Sequence, residues 1–173
     1  YRLINHGPVT LVSAAAGESR NLMAAAWAMP LDFDPPRIAV VVGAGEHTRQ
    51  LIDTSRELVL QVPPRALAAQ TDGVGSCSGR DTDKWSAFNL TWSAAAVVGA
   101  PLVDGCVAWL ECRLIDEPQL ERKYDLLVAE VVAAWADDAV FTVDGRSVRL
   151  RDDVPPALRA LHHVGAELDG MVL

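Results

Sequence analysis

Apolar residues along this chain fall in short runs, each closed by glycine or proline, and their spacing changes from run to run. Residues 9–13 are a brief apolar run ending before Gly17, which predicts a strand. In residues 21–28, Asn21, Met23, Ala25 and Trp27 recur at every second position, the period at which one face of a strand is shared. Alanine favours helix intrinsically, so helix is the rival there. The short span and the flanking Pro30 and Pro35-Pro36 favour strand. Residues 37–43, rich in Ile and Val, predict a buried strand. Residues 46–55 predict a short helix with Leu51 and Ile52 inward, residues 58–62 a strand stopped by Pro63-Pro64, and residues 65–72 a second helix.

Between 73 and 88 the composition turns to Gly, Ser, Asp and Arg, which predicts a long polar loop of a kind usually tied to function or motion. Strands are expected at 95–98, 106–115 and 125–134, with Asp116-Glu117-Pro118 in the last connection. Val143-Asp144-Gly145-Arg146 reads as a hairpin, and residues 155–173 as a short helix or coil. No repeat or linker interrupts the pattern. It predicts one domain over residues 1–173, mainly β with short helices, built as a closed β-barrel with helical attachments.

Composition narrows the partners. A chain of 173 residues, half of them apolar, can bury a substantial core. A formal net charge of −8 argues against nucleic acid or an anionic membrane as the main partner. Lys84 and Lys123 are the only lysines, so positive charge rests mostly on arginine. Cys77, Cys106 and Cys112 lack zinc-ligand spacing. Cys106 and Cys112 on one extended strand would stand about 20 Å apart, too far to bridge. Free thiols fit a reducing cytoplasm. No apolar run approaches the roughly 20 residues that span a bilayer, and no basic-then-apolar leader is visible. The expectation is a soluble, cytoplasmic protein.

Three segments carry candidate chemistry. His47-Thr48-Arg49 opens the first predicted helix, where unpaired N–H groups and a partial positive charge suit a phosphate. Thr48 adds a hydroxyl and Arg49 a guanidinium fork matched to phosphate oxygens. The plainer reading is a capped helix with an exposed arginine. Residues 21–27 offer an apolar wall, small side chains that admit backbone approach, and the polar Asn21, as a flat heterocycle requires. A core strand would look the same. Gly75-Ser76-Cys77-Ser78-Gly79-Arg80-Asp81-Thr82-Asp83-Lys84-Trp85 allows close approach to a ligand, with Arg80 and Lys84 offsetting a phosphate's charge. Alternatively Asp81 and Asp83 pair with Arg80 and Lys84 in a solvated loop. His162 and His163 are adjacent on a helix and do not face each other, which favours a structural or dimer-contact role. No nucleophile–base pattern or phosphate-binding glycine motif is present, so any chemistry would belong to a cofactor.

Taken in order, Pro8-Val9-Thr10-Leu11-Val12-Ser13, Asn21-Leu22-Met23-Ala24-Ala25-Ala26-Trp27, Pro35-Pro36, His47-Thr48-Arg49-Gln50-Leu51-Ile52, Ser78-Gly79-Arg80-Asp81-Thr82-Asp83-Lys84-Trp85, Leu110-Glu111-Cys112 and Tyr124-Asp125-Leu126-Leu127-Val128-Ala129-Glu130-Val131-Val132 resemble the flavin reductase-like family of FMN-binding split barrels, which includes flavoredoxin. The resemblance implies a homodimeric split β-barrel with FMN at or near the subunit interface. By that likeness Asn21, Leu22, Met23, Ala24, Ala25 and Ala26 line the isoalloxazine, with Arg20 and Trp27 beside them. Thr48 and Arg49, helped by His47, hold the phosphate, and Ser78, Gly79 and Lys84 close over the phosphate or the ribityl chain. The implied function is an NAD(P)H-dependent flavin or ferric reductase. The alternative is a flavoredoxin-type electron carrier, without nicotinamide turnover, that exchanges electrons with a redox protein. A barrel of the same shape that binds no flavin is the third reading. Many family reductases carry Gly-Asp-His before the late strand, associated with nicotinamide binding; here Arg122-Lys123-Tyr124-Asp125 stands in that region. After His162-His163 the chain also lacks the aromatic residue with which family tails often contact the dimer or the flavin.

Overall fold

Gly17, at φ +60°, turns β1 (Thr10–Ala16) directly back into β2 (Ser19–Ala25), with Thr10 opposite Ala25 and Ala16 opposite Ser19. The computed structural model describes residues 8–144, 147–151 and 153. After β2 come β3 (Ala28–Phe33), β4 (Pro36–Val41), helix α1 (His47–Ser55) and β5 (Glu57–Val62). Helices α2 (Ala68–Gly75) and α3 (Lys84–Ala87) precede a short pair, β6 (Trp92–Ser93) and β7 (Leu102–Val103). Then follow β8 (Ala108–Leu114), α4 (Pro118–Tyr124) and β9 (Leu126–Ala136). Seven of these strands form one antiparallel sheet in the order β2-β1-β5-β8-β9-β4-β3.

The two edges of that sheet are β2 and β3, yet only Ala26 and Trp27 separate them in the chain. Three Cα–Cα steps span about 11 Å at most, so the sheet has to curl until its edges approach each other. No ladder joins β2 to β3. The barrel expected to be closed is therefore split, as the resemblance implied, and the seam runs past Ala26 and Trp27. Its interior gathers Val12, Ala14, Ala25, Ile38, Val40, Leu58, Leu60, Cys112 and Leu127 from six strands, with Leu51 and Ile52 of α1 packed into it. At period two the intervening side chains turn outward. Leu11 and Leu22 pack there with Val74, Trp85, Leu90, Val103 and Cys106 in a second cluster beneath α2 and α3.

Several expected elements shift. The second helix begins as a 3₁₀ turn at Arg65–Leu67 and runs on to Gly75, and α3 starts at Lys84, which shortens the polar loop between them. Residues 95–98 form no strand. The buried carboxylate of Glu111 accepts hydrogen bonds from the amides of Ala96, Val97 and Val98 at 3.0, 2.7 and 3.2 Å, taking the donors that a ladder would use. β3 is hidden in the sequence by Pro30 and Asp32; it is an edge strand, where proline costs no ladder bond, and its register shifts beyond Pro30. α4 buries no side chain and so leaves no apolar period; Pro118 opens it and Asp125, at φ +54°, closes it. Cys106 lies ahead of β8 rather than on it, and all three cysteines are free thiols. β10 (Phe141–Asp144) pairs with β11 (Ser147–Leu150) as the hairpin reading required. Gly145 and Arg146, and the tail bearing Pro155-Pro156, His162 and His163, lie outside the described residues. Among the described residues no helix is long and apolar enough to cross a membrane.

Candidate functional site

β2 brings Arg20 and Asn21 to the place where α1 begins. The buried side chain of Asn21 donates from Nδ2 to Thr48 Oγ1 at 3.0 Å, fixing strand to helix. A third segment joins them. A Cβ added to Gly79 would lie 2.1 Å from Asn21 Oδ1, so the loop backbone passes against the amide and only glycine fits. Arg80 then donates from Nη2 to the Gly45 carbonyl at 2.7 Å, tying that loop to the glycine turn ahead of α1. Between the three segments lies a cleft of about 490 Å³.

The lining of this cleft carries both signs of charge. Arg20, Arg80, His47 and Trp85 line it. The Nδ1 of His47 and the indole N–H of Trp85 are buried without a hydrogen-bond partner. The N-cap Glu46 makes no side-chain cap hydrogen bond and the first turn of α1 has no acidic residue, so the first N–H groups of the helix have no side-chain partner there. Glu18, Asp81 and Asp83 also border the cleft. Asp83 is engaged in capping α3: it accepts from the Trp85 amide at 3.1 Å and the Ser86 hydroxyl at 2.6 Å. The Ser86 hydrogen bond holds its carboxyl below the usual range.

Some expected site residues meet here and others are placed elsewhere. Arg49 is buried away from the cleft. Its guanidinium reaches Asp53 at 2.7 Å, the Val42 carbonyl at 3.0 Å, and Glu121 and Asp125 at 3.8 Å. The arginines that line the cleft are Arg20 and Arg80, whereas the helix turns Arg49 towards α4. Lys84 borders the cleft but is buried, and its ammonium donates to the carbonyls of Leu22 at 3.0 Å and Val74 at 2.7 Å. Burial pushes its pKa down, offset in part by Cys77 and Glu46. Arg80 and Lys84 thus bind carbonyls, and the alternative of a solvated loop paired to Asp81 and Asp83 does not hold. The Ser78 carbonyl accepts from Thr82 N at 3.1 Å, and its hydroxyl accepts from Arg80 N at 3.2 Å, which shapes the loop.

Along β2, Leu22 and Ala24 pack into the outer cluster, and Met23 and Ala25 against the barrel core. What this strand can offer a ring is therefore chiefly its edge backbone, the half-buried Ala26 and the half-exposed Trp27 at the seam. Sequence reasoning left Trp92 out entirely. It lines the cleft, half-exposed, with the Arg20 guanidinium 4.2 Å from its ring centre. Nothing near residue 92 in the chain signals this; β6 brings it to the cleft. Among the described residues no cluster of His, Cys, Asp and Glu could hold a metal ion.

The fold is a split β-barrel with a charged cleft beside the start of its edge strand β2. Residues 3–149 match the family described as the flavin reductase like domain, and the chain belongs to that family. It is similar to the Escherichia coli protein YddH, 44% identical over 168 residues, covering 95% of this chain and 86% of that one. The structure is similar to that of an FMN-binding domain of a flavin reductases-like enzyme from Shewanella baltica. The TM-score is 0.85 at 42% identity, over 95% of this chain and 85% of the other. It also resembles flavoredoxin of Desulfovibrio vulgaris, with a TM-score of 0.75 at 25% identity over 96% and 93% of the two chains.

Proposed function

We propose that this chain binds FMN, with the phosphate in the cleft and the isoalloxazine along the seam from Asn21 to Trp27, and acts as an NAD(P)H-dependent flavin or ferric reductase. The observation that carries the reading is the convergence, at the head of an open strand edge, of two arginines and a helix start without a side-chain cap. Its family membership, and the FMN-binding domain to which it is similar, support the same ligand.

Bound flavin supplies the capacity to accept and release electrons; the polypeptide binds and orients it. Arg20 and Arg80 neutralise the phosphate with charge-assisted hydrogen bonds. The start of α1 at His47 adds backbone N–H donors. Asn21 holds Thr48 and the Gly79 loop in register. The edge backbone of β2 and the small Ala26 let the ring approach the sheet, and Trp27 stands beside it.

A homodimer fits the outer surface. Met29, Leu31 and Phe33 of β3 are 57, 48 and 96% exposed. Large apolar side chains exposed on an edge strand call for cover. A second copy would supply it and shield the seam.

The carrier reading has one observation in its favour. Arg122, Lys123, Tyr124 and Asp125 end α4 with no histidine among them, and Lys123 lies over the exposed Tyr124 ring, 5.0 Å from its centre. Anaerobic mixing of the FMN-loaded protein with NADH and with NADPH separates the two readings. Loss of the visible flavin absorbance with either nucleotide is the reductase outcome. Bleaching by a chemical reductant alone leaves the carrier.

A further inference from the structure

The segment from Val41 to Gly45 joins β4 to α1, and neighbours hold it at several points. The Val41 amide donates to the Trp27 carbonyl at the seam at 2.9 Å. The Val42 amide donates to the Asp125 carbonyl at 3.0 Å, and the Ala44 amide to Asp125 Oδ1 at 3.2 Å. From the cleft, Arg80 donates to the Gly45 carbonyl at 2.7 Å. Gly43-Ala44-Gly45 carries no side chain larger than a methyl group, so packing cannot fix its course. Within the turn the Glu46 amide donates to the Gly43 carbonyl at 2.9 Å; the direction in which the turn leaves the barrel is set from outside.

Asp125 makes two of these contacts. It is the C-cap of α4, in the left-handed region at φ +54°, and it lies outside the cleft lining. Its Oδ1 also stands 3.8 Å from Nη1 of the buried Arg49, which donates to the Val42 carbonyl. That cation draws the carboxylate towards the root of the turn. We infer that Asp125 is a positioning residue for the cleft: by holding Val42 and Ala44 it sets where α1 begins and where the Gly45 carbonyl meets Arg80. The inference rests on the flavin reading above. Asp125 is thus an acid that aids the binding of a phosphate it does not face, because its effect passes through the turn.

The left-handed backbone at this position makes a clean test. Glycine is at ease there and asparagine is tolerated. Asp125→Gly therefore removes the carboxylate and keeps the helix end, whereas Asp125→Asn keeps an acceptor oxygen. The experiment is an FMN titration, read by quenching of flavin fluorescence, on the full chain, the two Asp125 variants, Arg80→Ala and the Asp125→Gly/Arg80→Ala double variant. Asp125→Gly should weaken FMN binding about tenfold, the order of one hydrogen bond to a charged group, and Asp125→Asn should recover most of that loss. The double variant should lose less than the two single losses multiplied, because both residues act on one turn. Unchanged FMN affinity in Asp125→Gly overturns the inference. So does an Asp125→Asn variant as weak as Asp125→Gly, or losses that multiply in the double variant, because Asp125 then only supports the fold. Absence of FMN binding by the unaltered chain refutes the flavin reading itself, a different result from an Asp125→Gly variant that binds normally.

Discussion

Asn21 and Gly79 are packed so closely that a single added carbon on Gly79 would stand 2.1 Å from the Asn21 side-chain oxygen. The same Asn21 amide donates to Thr48. One side chain therefore sets the spacing between β2, the start of α1 and the loop that closes the cleft. Gly79→Ala should weaken FMN binding about tenfold or more, because the loop has to move off the amide. Asn21→Ala removes the obstruction, so the double variant should bind FMN less weakly than the two single losses multiplied, the signature of coupled sites. Isothermal titration of the four proteins measures that coupling.

The arginines should divide into two kinds. Arg20 and Arg80 line the cleft, and replacing either by alanine should lower FMN affinity with little change in melting temperature. Arg49 is buried among Asp53, Glu121, Asp125 and the Val42 carbonyl. Arg49→Met leaves those acids facing each other and should cost about 2 kcal/mol, kept modest because Asp53 and Asp125 are partly in solvent. Urea unfolding and FMN titration together distinguish the two kinds.

The thiols should react unequally. Burial pushes Cys106 and Cys112 up to about 12, while Cys77 is half-buried beside the loop. Because the thiolate is the reactive form, a thiol reagent at pH 8 should label one cysteine in the folded protein, Cys77, and all three after denaturation. Mass spectrometry of the digested protein identifies the labelled position.

Glu111 should be an acid-sensitive fastening. Burial alone would raise its pKa, but the Trp135 indole and the amides of Ala96, Val97 and Val98 outweigh burial and hold it below the usual carboxylate range. A depressed folded-state pKa contributes stability that is present above the ordinary carboxylate pKa and lost as pH falls through the folded value. Glu111→Gln should flatten the stability profile over that acid range. Glu111→Ala, which strands several buried donors, should cost about 3 kcal/mol at neutral pH. Denaturant titrations between pH 3 and 7, roughly the range over which a carboxylate protonates, give both numbers.

Most of the barrel was legible because its strands are short apolar runs: β1, β4 and β5 end close to Gly17, Gly43 and Pro63, β2 shows period two, and β8 and β9 are long apolar segments. β3 and α4 leave none, since an exposed edge strand and a helix with no buried face have no apolar period to read. The strand expected at 95–98 failed for a different reason. Its backbone donors are taken by a carboxylate fifteen or so residues away in the chain, and no local pattern announces a tertiary hydrogen bond. In the site, Asn21, His47 and Gly79 were readable from their residue types and surroundings. Arg49 was misplaced because sequence gives a helix position but not the direction of its side chain. Trp92 was missed because only the fold carries it to the cleft.

The central claim is that a flavin phosphate sits between Arg20, Arg80 and the start of α1. Its most direct test is an FMN titration of the full chain beside an Arg20→Ala/Arg80→Ala double variant, read by quenching of flavin fluorescence. The account predicts saturable binding of one FMN per chain, weakened at least tenfold in the double variant while its circular dichroism stays unchanged. No binding to the unaltered chain, or equal binding to both proteins, would contradict it.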